Sequence, residues 1–219
     1  TNILGSLNLM TISARYGVQK IIYISSGGAI YGEPRYLPCD EKHPVEPLAP
    51  YGVSKYAGEL YLRIFKDVYS LPFTILRYSN VYGPRQDPLG EAGVVAIFAS
   101  KMLRGDSVTI NGNGEQERDF CYVGDVVEAN LMALEKGEGG TYNIGTGIGT
   151  SVNQITTSLK RLTVYPLEPL HGPPVPGEVF KIYLDCRCAE KELCWKAKTT
   201  LDEGLAHTVD YFRPVSSHR

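Results

Sequence analysis

The run Ile21-Ile22-Tyr23-Ile24 narrows the folds open to this chain more than any other stretch. It is too short for a helix and has no polar face, so it is expected to be a strand buried on both sides, as in a parallel sheet. Before it, Ile3, Leu7, Met10 and Ala14 recur at steps of four, three and four, which predicts an amphipathic helix ending at Gly17. After it, Val53, Ala57, Leu60, Ile64 and Val68 mark a second helix closed by Leu71-Pro72, and Phe73 to Arg77 reads as the next strand. The order helix, strand, helix, strand argues for an α/β fold with a doubly wound parallel sheet.

Beyond Tyr82-Gly83-Pro84-Arg85 the character shifts. A helix is predicted from about Val94 to Arg104, then strands at Ser107 to Ile110 and Gln116 to Tyr122 flanking the tight-turn sequence Asn111-Gly112-Asn113-Gly114. A helix from Asp125 to Glu135 and a strand from Thr141 to Ile144 follow. Ser151-x-x-Gln154 and Thr200-x-x-Glu203 match the capping box, predicting helices to about Leu162 and Phe212.

With 219 residues, 43% of them hydrophobic, the chain can bury a sizeable core, and a formal net charge of -2 offers no basic footprint for nucleic acid or an anionic membrane. No apolar stretch approaches the roughly 20 residues of a spanning helix, so a cytoplasmic protein is expected. The five cysteines do not suggest a disulfide framework. Cys186, Cys188 and Cys194 cluster without the spacing or histidines of a zinc site and read as reduced structural thiols, so no metal is expected.

Residues Ala49 to Lys55 read A-P-Y-G-V-S-K, and in a helix Tyr51 and Lys55 share one face. A tyrosine is a poor base at neutral pH, but a neighbouring ammonium favours its phenolate. A surface tyrosine–lysine pair is the plain alternative. Ser25-Ser26 ends the first strand, at the carboxyl edge where open α/β sheets bind ligands, although such a pair is also a common turn. Glu59 is spaced for an i,i+4 ion pair with Lys55, Asp125 for capping its helix or closing a loop to Arg118, and Trp195 for packing.

Five segments then occur in order: I-S-S-G-G-A-I-Y-G-E-P, P-Y-G-V-S-K-Y-A-G-E, L-R-Y-S-N-V-Y-G-P-R-Q, Q-E-R-D-F-C-Y-V-G-D-V and Y-N-I-G-T-G. Over essentially its whole length the chain thereby resembles the extended short-chain dehydrogenase/reductases, nearest their nucleotide-sugar members of the UDP-glucose 4-epimerase type. The resemblance implies tightly held NAD, a UDP-sugar substrate and epimerisation at C4 through a 4-keto sugar. It implies Tyr51 as base and Lys55 as its partner and ribose contact. Ser26 would orient the substrate, with Ser25 as second choice, and Ser25 and Tyr78 would border the cofactor. Asn80 and Arg118 would meet the diphosphate, with Arg85, Val94 and Glu178 as further substrate contacts. An arginine suits a diphosphate, being always charged and forked to match its oxygens.

The resemblance further assigns residues 1–85 to the C-terminal part of a Rossmann domain. Residues 86–219 fall mainly to a smaller substrate domain, with about 116–145 returning to the sheet. No G-x-G-x-x-G is present, so a phosphate-binding half is expected upstream of Thr1 and the piece alone is expected to be inactive. Two positions depart from the family pattern. Gly27 stands where a serine or threonine is common, and Val175 where an arginine binds the nucleotide. A dehydratase or decarboxylase is the nearest rival reading, disfavoured because Gly28 and Ala29 offer no carboxylate, and a non-catalytic nucleotide-binding module is the other. The helices at 3–16 and 53–68 are candidates for a homodimer seam.

Overall fold

The computed structural model describes residues 1–90 and 93–213. In chain order its elements are α1 (Leu4–Arg15), β1 (Ile21–Ser26), α2 (Gly27–Ile30), α3 (Pro50–Tyr69), β2 (Phe73–Tyr78), β3 (Asn80–Tyr82), α4 (Val94–Arg104), β4 (Thr109–Asn111) and β5 (Glu117–Arg118). There follow β6 (Phe120–Tyr122), α5 (Val123–Glu135), β7 (Thr141–Ile144), β8 (Thr150–Ser151), α6 (Val152–Thr163), β9 (Leu170–Gly172), β10 (Lys181–Ile182), α7 (Arg187–Glu192) and α8 (Leu201–Phe212).

The main sheet runs β1-β2-β7, all parallel, with Ile21 opposite Phe73 and Ile75 opposite Thr141. Both faces are covered, as the unbroken apolar runs require. Phe73 and Ile75 of β2 and Tyr23 of β1 pack on Met10, Leu62 and Phe65 of α1 and α3. Residues of opposite parity, Ile22, Ile24, Leu76 and Tyr78, belong to the layer of α5 and Trp195. Each fully buried leucine or isoleucine contributes about 1.5–3 kcal/mol.

A second core lies between α4, α6 and α8, around Phe98, Met102, Ile155, Leu159, Leu205 and Val209. Both expected capping boxes are formed, with Ser151 Oγ accepting from Gln154 N and Thr200 Oγ1 from Glu203 N. The expected tight turn at Asn111-Gly112-Asn113-Gly114 is formed too, but its flanking strands do not pair with each other. Gly112 and Gly114 adopt left-handed backbone, and β4 pairs with β9 while β5 pairs with β10 and β8. Neighbours distant in sequence claim both flanks of the turn.

Candidate functional site

The site is built where β1 and β2 end against the first turns of α3. Pro50 occupies the first turn, where its missing N–H costs nothing, and Ala49 before it is extended. Gly52 sits close against α2: a Cβ there would lie 2.4 Å from the Ala29 carbonyl oxygen. Only glycine lets the two helices approach so closely.

Lys55 reaches back to β1, its Nζ donating to the Ile24 carbonyl at 2.9 Å. The same nitrogen stands 5.8 Å from the centre of the Tyr51 ring and 5.7 Å from that of Tyr23. Burial lowers the Lys55 pKa below the ordinary lysine value. Tyr51 is half-exposed, its ring open to solvent at the carboxyl end of the sheet. The expected tyrosine–lysine pair is thus formed.

The two serines part company. Ser25 shares its face of β1 with Tyr23, toward α3, and is buried there; its hydroxyl donates to Glu59 Oε1 at 2.5 Å. The hydroxyl expected to serve catalysis or border the cofactor is thus committed inside the protein, bonded to Glu59. Ser26 is half-buried at the N-cap of α2 and caps no backbone N–H. Gly27 follows because Leu184 packs on it: a Cβ would come within 2.7 Å of Leu184 Cδ1. A serine or threonine at that position would require the Leu184 side chain to move.

Glu59 is also corrected. It forms no pair with Lys55 but is fully buried, joined to Arg77 at 2.7 Å. Asp125 caps no helix terminus; its Oδ2 accepts from Thr199 N, while its carbonyl accepts from the buried Trp195.

Asn80, exposed at the start of β3, lies beside α2, its Oδ1 3.4 Å from where a Cβ on Gly28 would stand. Arg118 on β5 donates to Glu178 Oε1 at 2.7 Å and to the Glu117 and Phe180 carbonyls. Burial lowers its pKa, while Glu178 and Glu33 oppose that shift. Glu33 belongs to the loop that leaves α2. Beside this pair is a cavity of about 410 Å³ lined by Asn111, Gln116, Val175, Glu178 and Phe180. Of these, the sequence analysis singled out only Glu178 and Val175. The rest sit at the end of β4 or in loops and carry no spacing signal for a site.

Three expected contacts stand apart. Tyr78, at the end of β2, is half-buried with its hydroxyl accepting from Asn130 Nδ2, and burial raises its pKa. Arg85 is exposed in left-handed backbone (φ 70°) within the Gly83–Gln86 turn, and Val94 opens α4 against the second core. Among the described residues no hydrogen bond joins Arg85 or Val94 to the groups above. A larger cleft of about 700 Å³, between the Gly145–Gly147, Leu184–Arg187 and Trp195–Leu201 segments, contains none of the expected site residues.

Known proteins resemble this chain over most of its length. The profile of the NAD dependent epimerase/dehydratase family matches residues 1–145. The UDP-glucose 4-epimerase of Mycolicibacterium smegmatis is 41% identical over 216 residues, covering 98% of this chain and 69% of that protein. The crystal structure of the Thermotoga maritima UDP-glucose 4-epimerase with UDP-glucose superposes with a TM-score of 0.96 at 54% identity, over 97% of this chain and 69% of that one. The Thermus thermophilus UDP-glucose 4-epimerase in complex with NAD gives a TM-score of 0.91 at 42% identity, over 97% and 70%. A doubly wound parallel sheet, a tyrosine and lysine paired at its carboxyl edge and a profile match over about two thirds of its length place the chain in the NAD-dependent epimerase/dehydratase family.

Proposed function

We propose that this chain carries the proton-transfer and nucleotide-sugar groups of an NAD-dependent epimerase that inverts C4 of a UDP-sugar, of the UDP-glucose and UDP-galactose kind. The observation that carries the reading is Lys55 Nζ, anchored on the Ile24 carbonyl at 2.9 Å and 5.8 Å from the centre of the half-exposed Tyr51 ring. Tyr51 takes the proton of the sugar C4 hydroxyl and gives it back, and the Lys55 ammonium steadies the phenolate between those events. Ser26 orients the hydroxyl, and Asn80 and Arg118 meet the diphosphate. An exposed phenol beside an anchored cation, at the sheet edge where dinucleotides lie, fits a nicotinamide riboside held by Tyr51 and Lys55. Bound NAD supplies the reversible hydride uptake that inversion at C4 requires.

Elimination is disfavoured by the surroundings of α2. Gly28 and Ala29 carry no carboxylate, and position 28 faces the Asn80 amide. The division of labour follows the sheet: residues 1–85 and the returning 116–145 segment serve the cofactor side, and 86–219 otherwise serve the sugar nucleotide. The parallel pairing of β7 with β2 supports that return. The exposed apolar side chains of α1 and α3 support a homodimer, and the free thiols fit a cytoplasmic setting.

The test is interconversion of UDP-glucose and UDP-galactose by the protein as naturally encoded, beside its Tyr51→Phe variant. Loss of the phenol is expected to lower kcat by about 10²- to 10⁴-fold with the fold intact. Undiminished turnover in Tyr51→Phe would remove the proposed base, and nucleotide binding without turnover in the parent would favour a binding module.

A further inference from the structure

Beneath the Tyr51–Lys55 pair lies a charged cluster that the chemistry above does not use. Glu59 is 0% exposed and Arg77 4% exposed. The Glu59 carboxylate accepts from Ser25 Oγ at 2.5 Å, from Arg77 Nε at 3.0 Å and from Arg77 Nη2 at 2.7 Å. Arg77 Nη1 continues to Tyr31 Oη at 3.0 Å, and Tyr31 donates to Asn143 Oδ1 at 2.7 Å. One network therefore ties α3 to β1, β2, β7 and the end of α2.

Stability alone does not account for this arrangement. Burying both charges costs desolvation that their attraction only offsets, and well-packed apolar side chains of similar volume commonly do as well or better. What the apolar alternative lacks is direction. Tyr51, Lys55 and Glu59 follow at steps of four along α3, so a bond that fixes Glu59 also fixes the rotation of the face that carries the other two. Tyr23 adds a second tie one turn away, its hydroxyl donating to the Lys55 carbonyl at 3.2 Å.

We propose that Glu59 is a positioning residue: its bonds to Ser25 and Arg77 set the rotation of α3 on the sheet, so that Lys55 meets the Ile24 carbonyl and Tyr51 faces the carboxyl edge. The inference rests on the epimerase reading. In the naturally encoded protein, Glu59→Gln is expected to lower kcat for UDP-glucose by about 100-fold, as a displacement of about 1 Å at a reacting group does, while KM stays within about twofold. The Lys55 Cε resonance, assigned by its loss in Lys55→Arg, is expected to titrate at higher pH than in the parent when the ammonium regains water; because Glu59→Gln also leaves Arg77 unpaired, which pushes the other way, the charge-balanced double variant Glu59→Met with Arg77→Met gives that reading. The same double variant separates direction from stability. It is expected to recover the thermal midpoint lost in Glu59→Gln but neither the kcat nor the parent's Lys55 titration.

Recovery of kcat or an unmoved Lys55 titration in the double variant, or an unmoved kcat in Glu59→Gln, would overturn the proposal. If Glu59→Gln does not accumulate folded, Ser25→Ala removes one of the donors; both readouts should move the same way by less, and two unmoved readouts there would equally overturn it. A parent with no turnover of UDP-sugars would refute the epimerase reading, while the Lys55 titration would still decide the role of Glu59.

Discussion

Lys55 meets two demands that oppose each other. Its ammonium must persist to steady a phenolate, yet partial burial lowers its pKa below the ordinary value of 10.5. In the window between the depressed value and 10.5 the unfolded chain binds more protons than the folded one, so this group's contribution to stability rises with pH across it. Activity should do the reverse. The alkaline limb of kcat/KM is expected to fall below the pH at which a free lysine titrates, and thermal midpoints across that window should rise more in the parent than in Lys55→Met. A limb that tracks free lysine would contradict the burial of this ammonium. Ser25 and Ser26 make the complementary point. They are chemically alike, and strand parity alone sends one to Glu59 under α3 and the other to the mouth of α2.

For the elements, the contact of α3 with α2 decides whether the pair is delivered to the sheet edge. Gly52→Ala sets two effects against each other. Alanine improves helix propensity by about 1 kcal/mol, but its Cβ would meet the Ala29 carbonyl oxygen at 2.4 Å and Pro47 Cβ at 2.8 Å. Backbone cannot retreat like the end of a side chain, and overpacking of this kind costs about 1–3 kcal/mol. A net loss is expected, with a thermal midpoint lower by about 2–4 °C for each kcal/mol lost and reduced kcat. An unchanged or raised midpoint would show that α3 can shift freely. The capping boxes of α6 and α8 needed no such contact. A side chain satisfying a backbone N–H three residues on is a local event, and both were legible as sequence. The pairing of the strands flanking the 111–114 turn depended on distant partners, and β9, β10 and β8 took those flanks.

At the scale of the whole molecule, α1 and α3 lie side by side and leave Leu9, Ile12, Leu60, Ile64 and Val68 exposed. Exposed apolar side chains on two neighbouring helices suit a second copy packing across a two-fold axis. Ile64→Glu places a charge at that seam, and light scattering of the naturally encoded protein should show the mass of a dimer in the parent and of a monomer in the variant. A parent that runs as a monomer, or a variant that stays dimeric, would rule out this seam.

Periodicity and order of elements were determined by the sequence itself, because apolar spacing separates helix from strand, even where, as along Leu60, Ile64 and Val68 of α3, the stripe stays exposed in the single chain. The fold class, most element boundaries and the Tyr51–Lys55 pair followed from that, and the ordered motifs pointed to the family. Tertiary structure decided what lies between elements: Glu59 turned from Lys55 to Arg77, Ser25 sealed beneath α3, Leu184 packed on position 27, and the cavity beside Arg118 and Glu178. Such choices depend on which side chains distant segments bring within bonding distance, and spacing along one segment carries no record of them.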